Sequence, residues 1–278
     1  MHNFQSIEFG VTGHVARLTL NRPERLNALH KSALEEINRA MDLAEADAQV
    51  RAIVVDGAGR AFSSGFDLKA QMEQRPVGDA VWREILDLDF NTTMRFWNSP
   101  KPTIAAVHGA CLAGAFEIAM ACDITIACED AVFGEPELKF GAGIVTLLLP
   151  WMTSPKQAKR IILSADDRIA ARDALAMGLV SRVVPAGTHL EEALRTARGI
   201  ALMDPHLVAE TKKALNRSYD IQGMPTALRM ALDIDHGIES HGSPDKQAFM
   251  DVARARGMRE AIAWRDARFA QAQAGSQG

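Results

Sequence analysis

Cysteine, net positive charge and long apolar runs are all scarce in this chain, and each scarcity removes a class of protein. Three cysteines, Cys111, Cys122 and Cys128, lie close together in apolar sequence. An odd count without framework spacing argues against a disulfide scaffold and for a reducing, cytoplasmic setting. The formal charge is -4 with a pI near 6.1, which offers no long-range attraction to nucleic acid or anionic lipid. Any anionic ligand must therefore be held by local groups. No stretch reaches membrane-spanning length, and Met1 to Gln5 lacks a basic region followed by an apolar one. The final Gly-Ser-Gln-Gly has no anchor or address pattern, so neither export nor membrane attachment is expected. Low-complexity stretches and linkers are missing too, apart from a short patternless tail after Gln271.

What is present is an ordinary globular composition, 47% apolar and 24% charged over 278 residues, enough for one large domain with an appendage or for two. Ile7 to Val11 and Val15 to Leu20 alternate in polarity around Thr12-Gly13-His14, as in a hairpin. Leu34, Ile37, Ala40, Met41 and Ala44 recur at helical spacing, so a helix is expected over Ser32 to Asp47, with Ser32 as its cap and Glu35 completing a capping box. Ala52 to Asp56 predicts a strand, followed by a loop at Ser63-Ser64-Gly65 and a helix over Val81 to Trp97. The pattern repeats: strand at Pro102 to Val107, loop at Gly109 to Gly114, helix at Ala115 to Ala121. Two further short strands follow at Ile124 to Cys128 and Ala131 to Phe133. An α/β fold of stacked ββα units is expected over residues 1–185. Residues 186–278 read as helices at Leu190 to Met203, Pro205 to Tyr219, Pro225 to Ile238 and Pro244 to Arg268. Met224, Leu228, Met230, Leu232 and Ile234 leave apolar surface that predicts subunit contact.

Three segments carry chemistry. Ala61-Phe62-Ser63-Ser64-Gly65-Phe66-Asp67-Leu68 follows a buried strand, and its glycine permits a sharp turn with outward-pointing amides. A plain strand-to-helix connection capped by Asp67 explains it equally well. The second, Ala106 to Asp123, is a small-residue loop feeding a helix, whose unpaired N–H groups and dipole attract negative charge. Gly114 is an amide donor there, and Glu117 sits in the first turn, where acidic residues also serve simply to stabilise helix starts. The third is Phe133-Gly134-Glu135-Pro136-Glu137-Leu138. Pro136 is expected to point the two carboxylates in different directions, with Glu135 in a surface turn and Glu137 among apolar neighbours.

Together these segments resemble the crotonase (enoyl-coenzyme A hydratase/isomerase) superfamily. The resemblance extends to Asn21-Arg22-Pro23 with Asn27-Ala28-Leu29 and to Gly178 through Val184, in the expected order over most of residues 4–185. It implies a spiral of ββα turns, a helical C-terminal trimerisation region, and a homotrimer or dimer of trimers. It also implies an acyl-coenzyme A thioester as substrate, an oxyanion hole from the N–H groups of Phe66 and Gly114, and acid/base roles for Glu117 and Glu137. The coenzyme A portion would run along Arg25, Leu26, Ala28, Ala61, Ser64, Phe66, Asp67, Leu68, Lys69 and Gly114. Asp67 and Asp123 fall on positions read as structural, and His108 receives no catalytic role.

An enolate-forming reaction needs preorganised donors at the thioester oxygen and a proton carrier near neutral pH, and two carboxylates in an apolar cleft provide the latter. Hydration of a 2-enoyl thioester is the expected reaction because both acid/base positions hold glutamate. Double-bond isomerisation stands next, followed by C–C cleavage and thioester hydrolysis. No metal or redox cofactor is required. An RNA-binding homologue without catalysis is disfavoured by the acidic charge. Phe140 to Pro150 departs from the Pro-Gly-Ala-Gly-Gly-like stretch of many hydratases, and Phe66 and Phe116 are expected to narrow the acyl cavity.

Overall fold

The computed structural model describes residues 4–274. Strands β1 (Ile7–Thr12) and β2 (Val15–Leu20) form the expected antiparallel hairpin. Helix α1 (Lys31–Ala46) follows, burying Leu34, Ile37, Ala40, Met41 and Ala44 as the periodicity requires. Its start differs from expectation: His30 is the N-cap residue, extended and without a side-chain cap, and Ser32 lies inside the first turn.

From here the chain climbs in repeats. Strand β3 (Ala52–Gly57) leads through the Ser63 loop to α2 (Leu68–Gln74) and α3 (Asp79–Asn98). Strands β4 (Thr103–Val107) and β5 (Ala110–Leu112) lead to α4 (Gly114–Ala121). Strands β6 (Ile124–Cys128) and β7 (Val132–Gly134) lead to α5 (Leu149–Met152) and α6 (Pro155–Leu163). Strand β8 (Ile169–Ala170), α7 (Ala171–Ala176) and β9 (Arg182–Val184) complete the core.

Each turn adds its first strand to one sheet and its second to another. The order is β1-β2-β3-β4-β6-β9 in the large sheet, parallel beyond the hairpin, and β5-β7-β8 in the small one. The β3 turn obeys the same rule, because Ser63 bridges Cys111 of β5 in parallel. Two loops that look unstructured in sequence are thereby fixed side by side. Helix α4 runs through the centre with all eight residues buried, so its sequence, apolar on every face except for Glu117, marks a core helix and not an amphipathic one.

The helical portion comprises α8 (His189–Ala201), α9 (Pro205–Ile221), α10 (Met224–His241), α11 (Pro244–Arg256) and α12 (Met258–Ala274). The single helix expected over Pro244 to Arg268 is broken at Gly257, whose φ of 88° lies in the region that favours glycine. Helix α8 lays Ala193 and Ala197 on the apolar face of the large sheet. Helix α9 is tied in by Lys212, whose ammonium lies 2.7 Å from Asp123 Oδ2. Asp123 also accepts from Thr103 N–H, which is the structural role expected of it. Helix α10 turns Met224, Leu228 and Leu232 inward and leaves Met230 and Ile234 exposed, so the surplus apolar surface is smaller than the sequence suggests. No described helix is long and apolar enough to cross a membrane. Of the tail after Gln271, residues up to 274 belong to α12; the remainder and residues 1–3 lie outside the described residues.

Candidate active site

The parallel bridge between Leu29 and Phe66 sets the first donor. Leu29 N–H donates to Gly65 O and Asp67 N–H donates to Leu29 O, so the N–H of Phe66 between them points the other way. Gly65 makes that geometry possible, with φ at 88° and its Cα packed so close to the neighbouring loop that a Cβ would lie 2.7 Å from Leu112 O. Asp67 then caps α2 by accepting from the N–H groups of Lys69 and Ala70, and it pairs with Arg22 at 3.1 Å.

The second donor lies on that neighbouring loop. Ala113 adopts φ 54° and ψ -137°, a conformation sparsely populated by residues with a Cβ. Its N–H is used by Gly134 O, while Phe116 and Glu117 both donate to Ala113 O. The N–H of Gly114, at the first position of α4, has no acceptor among the described residues. Phe66 and Gly114 thus present two unpaired amides from touching loops; the Phe66 ring packs against Gly114 Cα so tightly that a Cβ there would lie 2.3 Å from Cε2.

Glu117 is fully buried, and it does not serve its own helix start. Its Oε1 accepts from Thr146 N–H at 3.0 Å, in the segment after Glu137, while Oε2 has no partner. Glu137 begins a 3₁₀ turn, Glu137–Phe140, and leaves its own Oε2 unpaired.

Glu135 corrects the sequence reading. It is 1% exposed, not in a surface turn, and it converges with Glu137 instead of diverging. One carboxylate oxygen from each of Glu117, Glu135 and Glu137 lies within 4.8 Å of the others. Glu135 N–H donates to Asp166 O, and Pro136, at φ -83° and ψ 2°, turns the chain directly into the 3₁₀ segment that starts at Glu137, so the turn brings the two carboxylates together.

Electrostatics follow from this crowding. Burial first, then mutual repulsion, pushes Glu117 and Glu135 well above the carboxylate range. Glu137 is pushed by burial to about 7, against the lowering effect of hydrogen bonds from its own backbone and from Glu135. Three carboxyl groups in one apolar site cannot all ionise, so protonated and ionised forms coexist near neutrality. The three donors also satisfy the bare geometry of a cation site, and no ion is needed to account for them, because shared protons remove the repulsion.

A cavity of about 440 Å³ opens on Glu137, the one member of this group that lines it, and is lined also by Arg25, Leu26, Ala28, Ser64, Phe66, Asp67, Leu68 and Lys69. Two of the expected lining residues do not line it: Gly114 is buried at the start of α4, and Ala61 is 2% exposed, its carbonyl accepting from Asn27 Nδ2 at 2.9 Å. Phe116 does not narrow the cavity either, being fully buried against Phe133 at 5.3 Å between ring centroids. His108 is set apart, stacked on His189 with Nε2 3.0 Å from Gly59 O. Sequence reasoning missed Glu135, Thr146 and a second acidic group on α3 and α10.

Two interleaved sheets built from successive ββα turns, with a core helix ending at a pair of unpaired amides, define the crotonase class of fold. The family model for enoyl-CoA hydratase/isomerase matches residues 10–250, and the chain belongs to that family. It is 39% identical to a probable mitochondrial enoyl-CoA hydratase of Dictyostelium discoideum, over 75% of this chain and 74% of that one. A putative enoyl-CoA hydratase of Thermus thermophilus is also 39% identical, over 73% of this chain and 81% of that one. Among solved structures, an enoyl-CoA hydratase/isomerase from Xanthobacter autotrophicus Py2 is 62% identical with a TM-score of 0.95, covering 96% of this chain and 99% of that one.

Proposed function

We infer that this chain is an enoyl-CoA hydratase that adds water reversibly across the double bond of a 2-enoyl-CoA thioester. The observation that carries the reading is the convergence of Glu117 and Glu137 beside the unpaired amides of Phe66 and Gly114. The thioester oxygen accepts from those two N–H groups, which hold the negative charge that develops as the enolate forms. Glu117, anchored by Thr146, holds the water and takes its proton as oxygen attacks C3. Glu137, at the cavity wall, gives a proton to C2. The sum is H and OH added across the double bond; exchange with solvent resets the two carboxyls. Glu135 keeps a proton beside Glu137 and so sets when Glu137 ionises.

The nucleotide portion lies along Arg25, Leu26, Ala28, Ser64 and Leu68, with Lys69 offered to a phosphate. The reaction uses no cofactor beyond the coenzyme A of its substrate. The exposed Met230 and Ile234 of α10 support assembly into a homotrimer or dimer of trimers, and sedimentation as a monomer at micromolar concentration would reject that. The buried free thiols Cys111, Cys122 and Cys128 support a reducing, cytoplasmic setting.

The deciding experiment incubates the protein with 2-enoyl and 3-enoyl thioesters in ¹⁸O water. Hydration consumes the conjugated thioester and incorporates the label, whereas double-bond migration without label makes the protein an isomerase. Glu137→Gln is expected to lower turnover by about 10²–10⁴-fold, the scale of general acid/base contributions. Unchanged turnover in that variant would refute the site assignment.

A further inference from the structure

The cavity has a second chemical feature, on the wall formed by α3, α10 and α11. Asp235 of α10 is 2% exposed, lines the cavity, and has no partner for either carboxylate oxygen. Asp89 of α3, 7% exposed, lines the same cavity and repels it. Their neighbour Glu239 is satisfied: it pairs with Lys246 and accepts from Gly143 N–H at 3.3 Å. Lys246 is thereby engaged, with its ammonium 4.5 Å from the Trp82 ring centroid. Gly143, six residues after Glu137, gives Asp235 room, since a Cβ there would lie 1.9 Å from Asp235 Oδ1.

A buried polar group with no partner costs stability, and an apolar chain placed beside it leaves that cost in full. A ligand bearing a hydrogen-bond donor removes it. An anionic ligand is refused by the two carboxyls.

We propose that this cavity selects acyl-CoA thioesters whose acyl chain carries a terminal hydrogen-bond donor, a hydroxyl or an ammonium group, received by Asp235 with Asp89 beside it. The proposal rests on the reading of the cavity as an acyl-CoA site and adds the chemistry of the acyl end. It does not require the hydration step, which permits a separate test.

The test is calorimetric binding of saturated acyl-CoA thioesters of four to eight carbons, ending in methyl, hydroxyl or ammonium, to the full chain in its native assembly. Free coenzyme A serves as the reference for every variant. At the matching length, a hydroxyl or ammonium end is expected to bind at least about tenfold tighter than methyl, the lower range for one well-placed polar contact. Asp235→Leu should abolish or invert that preference. Asp235→Asn, nearly isosteric, should keep the hydroxyl preference and lose the ammonium preference. Methyl-ended chains binding as tightly at every length would overturn the proposal, as would a preference that survives Asp235→Leu. If the preference appears but no 2-enoyl thioester is hydrated, the reaction assignment falls and this inference stands. If coenzyme A and its thioesters all fail to bind, both fall together.

Discussion

Substituting Gly114 by alanine separates what its amide does from what its helix needs. The position is the first of α4 and has no positive φ, so alanine fits the backbone and is a better helix former by about 1 kcal/mol. Stability alone therefore predicts a neutral or favourable change. The added Cβ, however, would lie 2.3 Å from Cε2, 2.5 Å from Cζ and 2.8 Å from Cδ2 of Phe66, so the ring or the start of α4 must move. Either movement displaces one of the two amides, and loss of one such donor costs about 2.7–4 kcal/mol in the barrier, or roughly 100–1000-fold in kcat. The assay is loss of conjugated-thioester absorbance with a short 2-enoyl-CoA, with thermal melts to confirm folding.

Rescue distinguishes a displaced amide from a distorted helix. Phe66→Ala removes the ring and retains the N–H, so the double variant should recover most of the activity of Phe66→Ala alone. The coupling between the two substitutions should exceed about 2 kcal/mol, within the range for residues in contact. A Gly114→Ala enzyme with wild-type kcat would refute the placement of the donors. So would a double variant as slow as Gly114→Ala while Phe66→Ala is fast.

Two further outcomes follow from the buried carboxyls. Asp235 is raised from 3.8 to about 7, so its stabilising contribution is complete below pH 3.8 and is lost as pH rises through 7, a swing of about 4 kcal/mol. Asp235→Asn should therefore stabilise the protein at pH 8.5 and not at pH 4, and equal shifts in Tm at both would refute the burial argument. For Glu135, the hydrogen bond lowers Glu137, so Glu135→Leu should raise Glu137 and, because Glu137 acts in its protonated form, move the alkaline limb of the kcat/KM profile to higher pH. Glu135→Gln, which still donates, should leave that limb near the wild-type position; identical profiles for the two variants would dissociate Glu135 from the reaction.

The sequence carried the donors better than the acids. Phe66 and Gly114 sit in small-residue loops after short strands, a local pattern compatible with outward amides, and their pairing as donors came from the family resemblance. Glu117 was ambiguous locally, since a first-turn glutamate has an ordinary role there, and only the contact with Thr146 distinguishes the two. Glu135 was misread because Pro136 was expected to point the two carboxylates apart, whereas the turn at Pro136 leaves them within reach of each other. Ser32 looked like a cap because its spacing to Glu35 fits a capping box, yet helix α1 starts one residue earlier at Lys31 without any side-chain cap. Asp89 and Asp235 were out of reach: each is one polar residue within an amphipathic helix. Their meeting across about 146 positions of sequence depends on how α10 packs on α3.

The distribution of charge along the cavity sets one more limit on the substrate. Arg25 and Lys69 are the lining cations assigned to the nucleotide; Lys246 and Arg265 also line the cavity but are paired with Glu239 and Asp266, while Asp89, Asp235 and Glu137 share the lining without such partners. Asp235 acts electrostatically on both Glu117 and Glu137, raising each. A 2-enoyl thioester ending in a second carboxylate would bring one more negative charge into this group. At a separation of about 4 Å and an effective dielectric near 20, each like-charge contact costs about 4 kcal/mol, nearly 1000-fold in affinity before protonation relieves part of it. Dicarboxylyl thioesters are therefore expected to show kcat/KM at least about 100-fold below methyl-ended chains of equal length at pH 8, with the gap narrowing as pH falls below 7. Asp235→Asn should narrow it at pH 8 as well. Efficient turnover of a dicarboxylyl thioester at pH 8 would mean that the carboxyl wall is neutralised in the working enzyme, and the reading of Asp235 as an unpartnered acceptor would have to be abandoned.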